Sequence, residues 1–241
     1  MKMLKKLPLF LSFLFLFSCD EFPLTDAEIA AGLKSALEFG SKYALKTLGA
    51  EDGFYKDIAV KIGLPEDVAI VITQISKVPG FGIAIKEIED QLILTINRAA
   101  EASIEEVIPI VVTAIKEITI QDAKTILFSS NNYAATDYLR GKTYDPLCGV
   151  CSSVIGGALN KKIVLNTSAQ DVWKSFTDLY NTVSQIPLVN LSPVETDLTE
   201  YTTRKALDGV FVKVGDEEEK IRTDINARTT DLLRRVFGQL D

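Results

Sequence analysis

From Thr25 onward, apolar side chains recur every three or four positions and almost nowhere every second one. A half-buried strand needs period-two alternation, whereas an amphipathic helix needs a period near 3.6. The pattern therefore predicts an all-α fold: a multi-helix bundle forming a single compact domain. Only 69–75 and 163–165 tempt a strand reading.

Local signals divide the bundle. Thr25-Asp26-Ala27-Glu28 has the spacing of a capping box. Ile29, Leu33, Leu37, Ala44 and Leu48 follow on one stripe, and Gly49 stands where a helix ends. Asp52 to Gly63 reads as loop. Pro65 suits the first position of a second helix running to about Lys77, and Pro79-Gly80 stops it. A long helix is predicted from Phe81 to Ala102, then a nearly all-apolar segment capped by Ser103 and reaching about Ile118, with Pro109 as a kink or a later start. Thr119 and Asp122 open a helix to Phe128, and Asn131 caps a short one ending near Arg140. Another runs from Thr143 to Lys162 despite Gly149, Gly156 and Gly157. Ser168 caps a helix bearing Val172, Trp173, Phe176, Leu179, Tyr180 and Val183, ended by Pro187. Asp197 with Glu200 opens one through Lys213 or on to Arg222, and a last helix spans Thr229 to Gly238.

The segment before the bundle has a different character. Lys2, Lys5 and Lys6 precede an apolar run from Leu7 to Phe17, and Leu16-Phe17-Ser18-Cys19 closes it. A permanent membrane helix needs about 20 apolar residues, so this run is short. Basic head, greasy middle and a small residue before a cysteine have the shape of a cleaved bacterial lipoprotein signal. On that reading residues 1–18 are signal peptide, 19–24 a lipidated tether and 25–241 the helical domain. Cys19 becomes the first mature residue and carries the acyl chains that hold the protein at a membrane. Each buried methylene contributes about 0.8 kcal/mol, and several chains together anchor stably where one does not. The expected location is the cell envelope, facing the periplasm or the surface.

Charge and composition remove whole classes of function. The chain holds 26 Lys and Arg against 33 Asp and Glu; without Lys2, Lys5 and Lys6 the balance is 23 against 33, a net of −10. An acidic body without a basic stripe does not neutralise phosphates, so nucleic acid is not an expected partner. There is no histidine, which rules out Ser-His-Asp and Cys-His nucleophile pairs and histidine-held zinc or haem.

Five segments taken together resemble a known bacterial family. They are Leu24 to Leu33 (LTDAEIAAGL), Asp52 to Lys56 (DGFYK), Asn97 to Glu101 (NRAAE), Lys205 to Phe211 (KALDGVF) and Ala227 to Leu233 (ARTTDLL). In order and spacing they resemble the lipoprotein family catalogued as domain of unknown function 4197. The resemblance covers essentially the whole chain after the signal. It implies an exported, often lipid-anchored helical protein, and brings no activity, substrate or catalytic residue. Between Thr143 and Leu159 the chain departs from the family pattern, with Cys148, Gly149 and Cys151 where large side chains are usual, so the cysteine pair reads as a local variation.

Three constellations remain as candidate chemistry. Cys148 and Cys151 are three apart and share a helix face. They read as a disulfide or as plain buried thiols. A redox role needs a preceding strand that is not evident, and two thiolates are too few for a metal. Asp90, Asn97, Arg98 and Glu101 share a sector of the long helix and form a candidate ligand-binding polar cluster, or an interhelical hydrogen-bond network. Arg228 to Asp231 reads as a capped helix start that could also receive an anion. Asp216 to Lys220 reads as a solvated charge run, and Tyr55-Lys56 as a loop motif. No metal and no cofactor is expected. The leading expectation is a non-enzymatic, lipid-anchored envelope module that binds a partner protein or a small apolar ligand. The alternatives are a carboxylate-based enzyme using Asp90 and Glu101, and a thiol–disulfide protein using Cys148 and Cys151.

Overall fold

A computed structural model describes residues 23–76, 82–117, 119–121, 123–184 and 197–241. The described α-helices are α1 (Asp26–Leu48), α2 (Glu66–Ile75), α3 (Gly82–Glu117), α4 (Ala123–Leu127), α5 (Ala134–Asn160), α6 (Ala169–Ser184), α7 (Thr199–Thr223) and α8 (Asp231–Phe237). The long helices close a ring: α1 packs on α3 and α7, and α5 packs on the same two from the other side. The shorter elements cover this four-helix core, with α6 laid on α3 and α5, α8 and α4 on α1, and α2 on α3. No described helix is long and apolar enough to cross a membrane. The signal segment, Cys19, Lys77, Pro79-Gly80, Phe81, Ile118, Asp122 and Pro187 lie outside the described residues.

Helix starts follow the capping chemistry. Thr25 Oγ1 accepts the Glu28 N–H at 3.2 Å while the Glu28 carboxylate accepts the Thr25 N–H at 2.9 Å, a reciprocal pair that satisfies two otherwise orphaned donors. Ser168 Oγ accepts the Asp171 N–H at 3.0 Å and Asp197 Oδ1 the Thr199 N–H at 2.8 Å. Thr230 caps α8 through the Leu233 N–H.

The ring buries one continuous core. Leu33, Leu37, Leu45 and Leu48 of α1 meet Leu92, Ile96 and Val107 of α3, Leu139, Leu147 and Ile155 of α5, and Leu207, Val210 and Val214 of α7. Each such side chain contributes roughly 1.5–3 kcal/mol on burial. Trp173 and Phe176 stack at 5.6 Å between ring centroids, and Tyr180 continues the stack from α6. Two close approaches need glycine. A Cβ on Gly32 would lie 2.6 Å from Val236 of α8, and one on Gly209 would lie 2.8 Å from Phe54.

Three expectations are corrected. The two helices predicted on either side of Ser103 are one 36-residue helix, α3. Ser103 is buried inside it, and its hydroxyl donates back to the Ala100 carbonyl rather than capping a new start. Pro109 sits within the helix at the cost of one backbone hydrogen bond. The short helix to Arg140 and the next one from Thr143 are likewise a single helix, α5, which runs through Gly141, Pro146, Gly149, Gly156 and Gly157. Each interior glycine costs about 1 kcal/mol relative to alanine. The buried stripe of Leu139, Leu147, Cys151, Ile155 and Leu159 outweighs that, which is packing overriding propensity. Asn131 does not cap this helix; its side chain accepts the Tyr133 N–H in the preceding turn. Of the tempting strands, 69–75 lies within α2, and 163–165 contributes only an isolated bridge from Val164 to Thr167.

The third correction concerns the charge run. Glu218 is only 2% exposed and so is not part of a solvated face. It reaches across to the start of α5.

Candidate functional site

The polar sector of α3 divides once it is folded. Asp90 lies on the exposed side and pairs with Lys86 at 3.1 Å. Asn97, Arg98 and Glu101 point instead at the 49–64 loop. Asn97 Oδ1 accepts the Ile62 N–H at 2.9 Å and its Nδ2 donates to the Ile62 carbonyl at 2.8 Å, so one side chain meets both backbone groups of that residue. Glu101 Oε1 accepts the N–H groups of Phe54 and Tyr55 at 3.0 and 3.1 Å, while its Oε2 receives Arg98 Nη1. Arg98 also reaches Asp52 at 2.6 Å. Hydrogen bonds from Lys56, then Arg98, hold the Asp52 carboxyl below the ordinary carboxylate range. Phe54 is thereby seated in the core, and the Tyr55 ring lies under Lys61 Nζ at 4.3 Å. These donors and acceptors are consumed by the loop. Asp90 is eleven positions from Glu101, roughly 16 Å along the helix axis, so the two carboxylates do not converge.

Glu218 and Arg222 form a second buried network that was not anticipated as one. Glu218 Oε1 accepts the Ala135 N–H at 2.9 Å and Arg222 Nε at 2.8 Å. Its Oε2 accepts the Thr136 N–H and hydroxyl, each at 2.7 Å. A carboxylate from α7 thus closes the N-terminus of α5, where the helix dipole favours negative charge. Arg222 carries the link on to the Ile126 and Leu127 carbonyls at the end of α4. The i, i+4 spacing of Glu218 and Arg222 was visible in the chain, but nothing local marked the pair as buried.

Arg228, 2% exposed, donates to the carbonyls of Ile221 and Arg222 and to both Asp241 carboxylate oxygens. It ties α8 to α7, and hydrogen bonding to Arg228 holds the Asp241 carboxyl low. Tyr144, Arg140 and Asp208 make a half-buried cluster between α5 and α7. Burial, followed by the hydrogen bond to Asp208, pushes the Tyr144 hydroxyl up to about 12.

Cys148 and Cys151 are free thiols on consecutive turns of α5. Cys151 is fully buried in the core, and burial pushes its thiol to about 11; burial also raises Cys148. A reactive cysteine needs a lowered value and an electropositive setting, and neither thiol has the first.

A further concavity lies elsewhere among the described residues. An open groove of about 660 Å³ runs between α3 and α5. Pro109, Ile110 and Ala114 form one wall, and Pro146, Leu147 and Val150 form the other. Thr113 and Thr143 supply hydroxyls, and Glu117 and Lys142 stand at one end. Both prolines found inside described helices face this groove. Val150 is 55% exposed, an apolar side chain held out in the open. The groove residues were missed because each looks like ordinary helix sequence. The available signal was the pair of interior prolines, which are costly in helices.

The fold and these sites define a class: a helical bundle whose buried charges brace its loops and helix ends, with an apolar groove between α3 and α5. The family model for "Protein of unknown function (DUF4197)" matches residues 23–238, and the chain belongs to that family. No curated protein matches the chain. No solved structure matches it either.

Proposed function

We propose that this protein is a lipid-anchored, non-enzymatic module of the cell envelope that binds a small apolar ligand in the α3–α5 groove. The observation that carries this reading is the character of the groove: about 660 Å³, walled by proline and aliphatic side chains, with Thr113, Thr143, Glu117 and Lys142 as its polar lining. Ligand sites are typically concavities of this size, mostly apolar with a few orienting polar groups. The alternatives draw less support. The carboxylates a carboxylate-based enzyme would use lie apart, Glu101 committed to two backbone N–H groups and Asp90 paired with Lys86. The thiol of Cys151 is buried and weakly acidic.

A fluorescent fatty-acid analogue titrated against the protein tests the reading. Binding should be saturable in the wild type and at least about tenfold weaker in Val150→Asp, because a buried aliphatic contact worth roughly 1.5–3 kcal/mol is exchanged for a charge facing the ligand. Val150 is exposed in the free protein, so circular dichroism of the variant should be unchanged. Absence of binding by the wild type, or equal binding by both, would contradict it.

A further inference from the structure

We infer that the end of the bundle where α1 begins is a membrane-docking face, with Phe128 and Ile225 as its apolar contacts. The inference rests on the lipid-anchor reading above and adds to it the surface that meets the bilayer.

Five residues separate Cys19 from Thr25, so the span from anchor to helix is at most about 20 Å even fully extended. An acylated Cys19 therefore keeps the start of α1 near the lipid. Side-chain contacts bring further elements to that end. Lys124 pairs with Asp26 at 2.8 Å, which brings α4 there. Phe128 follows α4 directly and is 57% exposed. Arg222 donates to the carbonyls at the end of α4, which brings the end of α7 there, and Ile225, three residues on, is 61% exposed. Arg235 of α8 reaches Glu28 at 2.8 Å. Two large apolar side chains from separate elements thus stand out at the end where α1 begins.

The charges at this end suit a lipid surface. The body as a whole is acidic, and free carboxylates would be repelled by anionic headgroups. Four of the acids described at this end are paired: Asp26 with Lys124, Glu28 with Arg235, Asp231 with Arg234 and Asp241 with Arg228. Asp224 is turned onto the Asn226 N–H. An apolar pair inside a rim of largely paired charges gains by insertion into the boundary between headgroups and chains, a layer roughly 5–10 Å deep. Ile58 is the natural control: it is 94% exposed but lies in the loop beyond the far end of α1, and that helix is about 34 Å long.

The chain has one tryptophan, Trp173, which is 1% exposed, so an added tryptophan reports its own surroundings. The full chain, purified from membranes and reconstituted into phosphatidylethanolamine–phosphatidylglycerol vesicles, is prepared as Phe128→Trp, Ile225→Trp and Ile58→Trp. Brominated acyl chains should quench the added emission about twofold at 128 and 225, as expected for side chains at interfacial depth, and leave 58 unchanged. Protein that floats with vesicles but is quenched no more at 128 and 225 than at 58 overturns the docking face and leaves the anchor standing. Protein that does not float overturns both.

Discussion

Glu218→Ala should lower the melting temperature by about 10 °C, the largest effect expected from a single polar substitution in this protein. Removing one partner of a buried ion pair costs roughly 3–5 kcal/mol, and a chain of this size loses about 2–4 °C per kcal/mol. Two features enlarge the loss. The Ala135 and Thr136 N–H groups at the start of α5 lose their acceptor, and Arg222, 5% exposed, keeps its charge with the α4 carbonyls and the Phe237 ring but without its carboxylate. Glu218→Gln makes the sharper comparison. Every group that touches Glu218 is a donor, so an amide nitrogen in place of one oxygen faces donors with another donor. The glutamine variant should be nearly as unstable as the alanine variant. Thermal unfolding followed by circular dichroism measures both. A shift of less than about 3 °C in either would show that the carboxylate does not brace α5.

Glu101→Ala should cost about 3–4 kcal/mol, because Phe54 and Tyr55 lose a shared acceptor in a buried position and Arg98 loses the most buried of its three carboxylate partners. Here glutamine should behave differently. Oε1 alone serves both backbone donors, and Arg98 retains Asp52, so Glu101→Gln should recover roughly half of the loss. Urea unfolding gives the totals. Hydrogen exchange locates them: amides of the 49–64 loop should lose protection in Glu101→Ala while those of α5 do not. Equal damage from both variants, or loosening spread evenly over the bundle, would contradict the loop-clamp assignment.

The two carboxylates also mark the boundary of what the chain alone reveals. Helix starts were legible at Thr25, Ser168 and Asp197 because a cap is chemistry between residues two or three apart. The all-helical class was legible because the 3.6-residue period persists across many segments. The continuity of α3 through Ser103 and of α5 through Gly141 was not, since a buried stripe decides it and local propensity points the other way. Asn97, Arg98 and Glu101 were legible as one sector of a helix, but what they hold lies 35 to 47 positions away. Glu218 looked solvated because its partners at Ala135 and Thr136 are more than 80 positions distant. The groove had no local mark except its prolines, for a concavity is a property of two helices at once.

Mass spectrometry of the native product, taken from the membrane fraction of cells expressing the full chain, addresses the central claim most directly: that this helical body works in the cell envelope, held there by lipid. The account predicts a polypeptide beginning at Cys19, with a mass increment of acyl groups on that residue and no peptide from 1–18. An unprocessed chain starting at Met1 with an unmodified Cys19 thiol would contradict it.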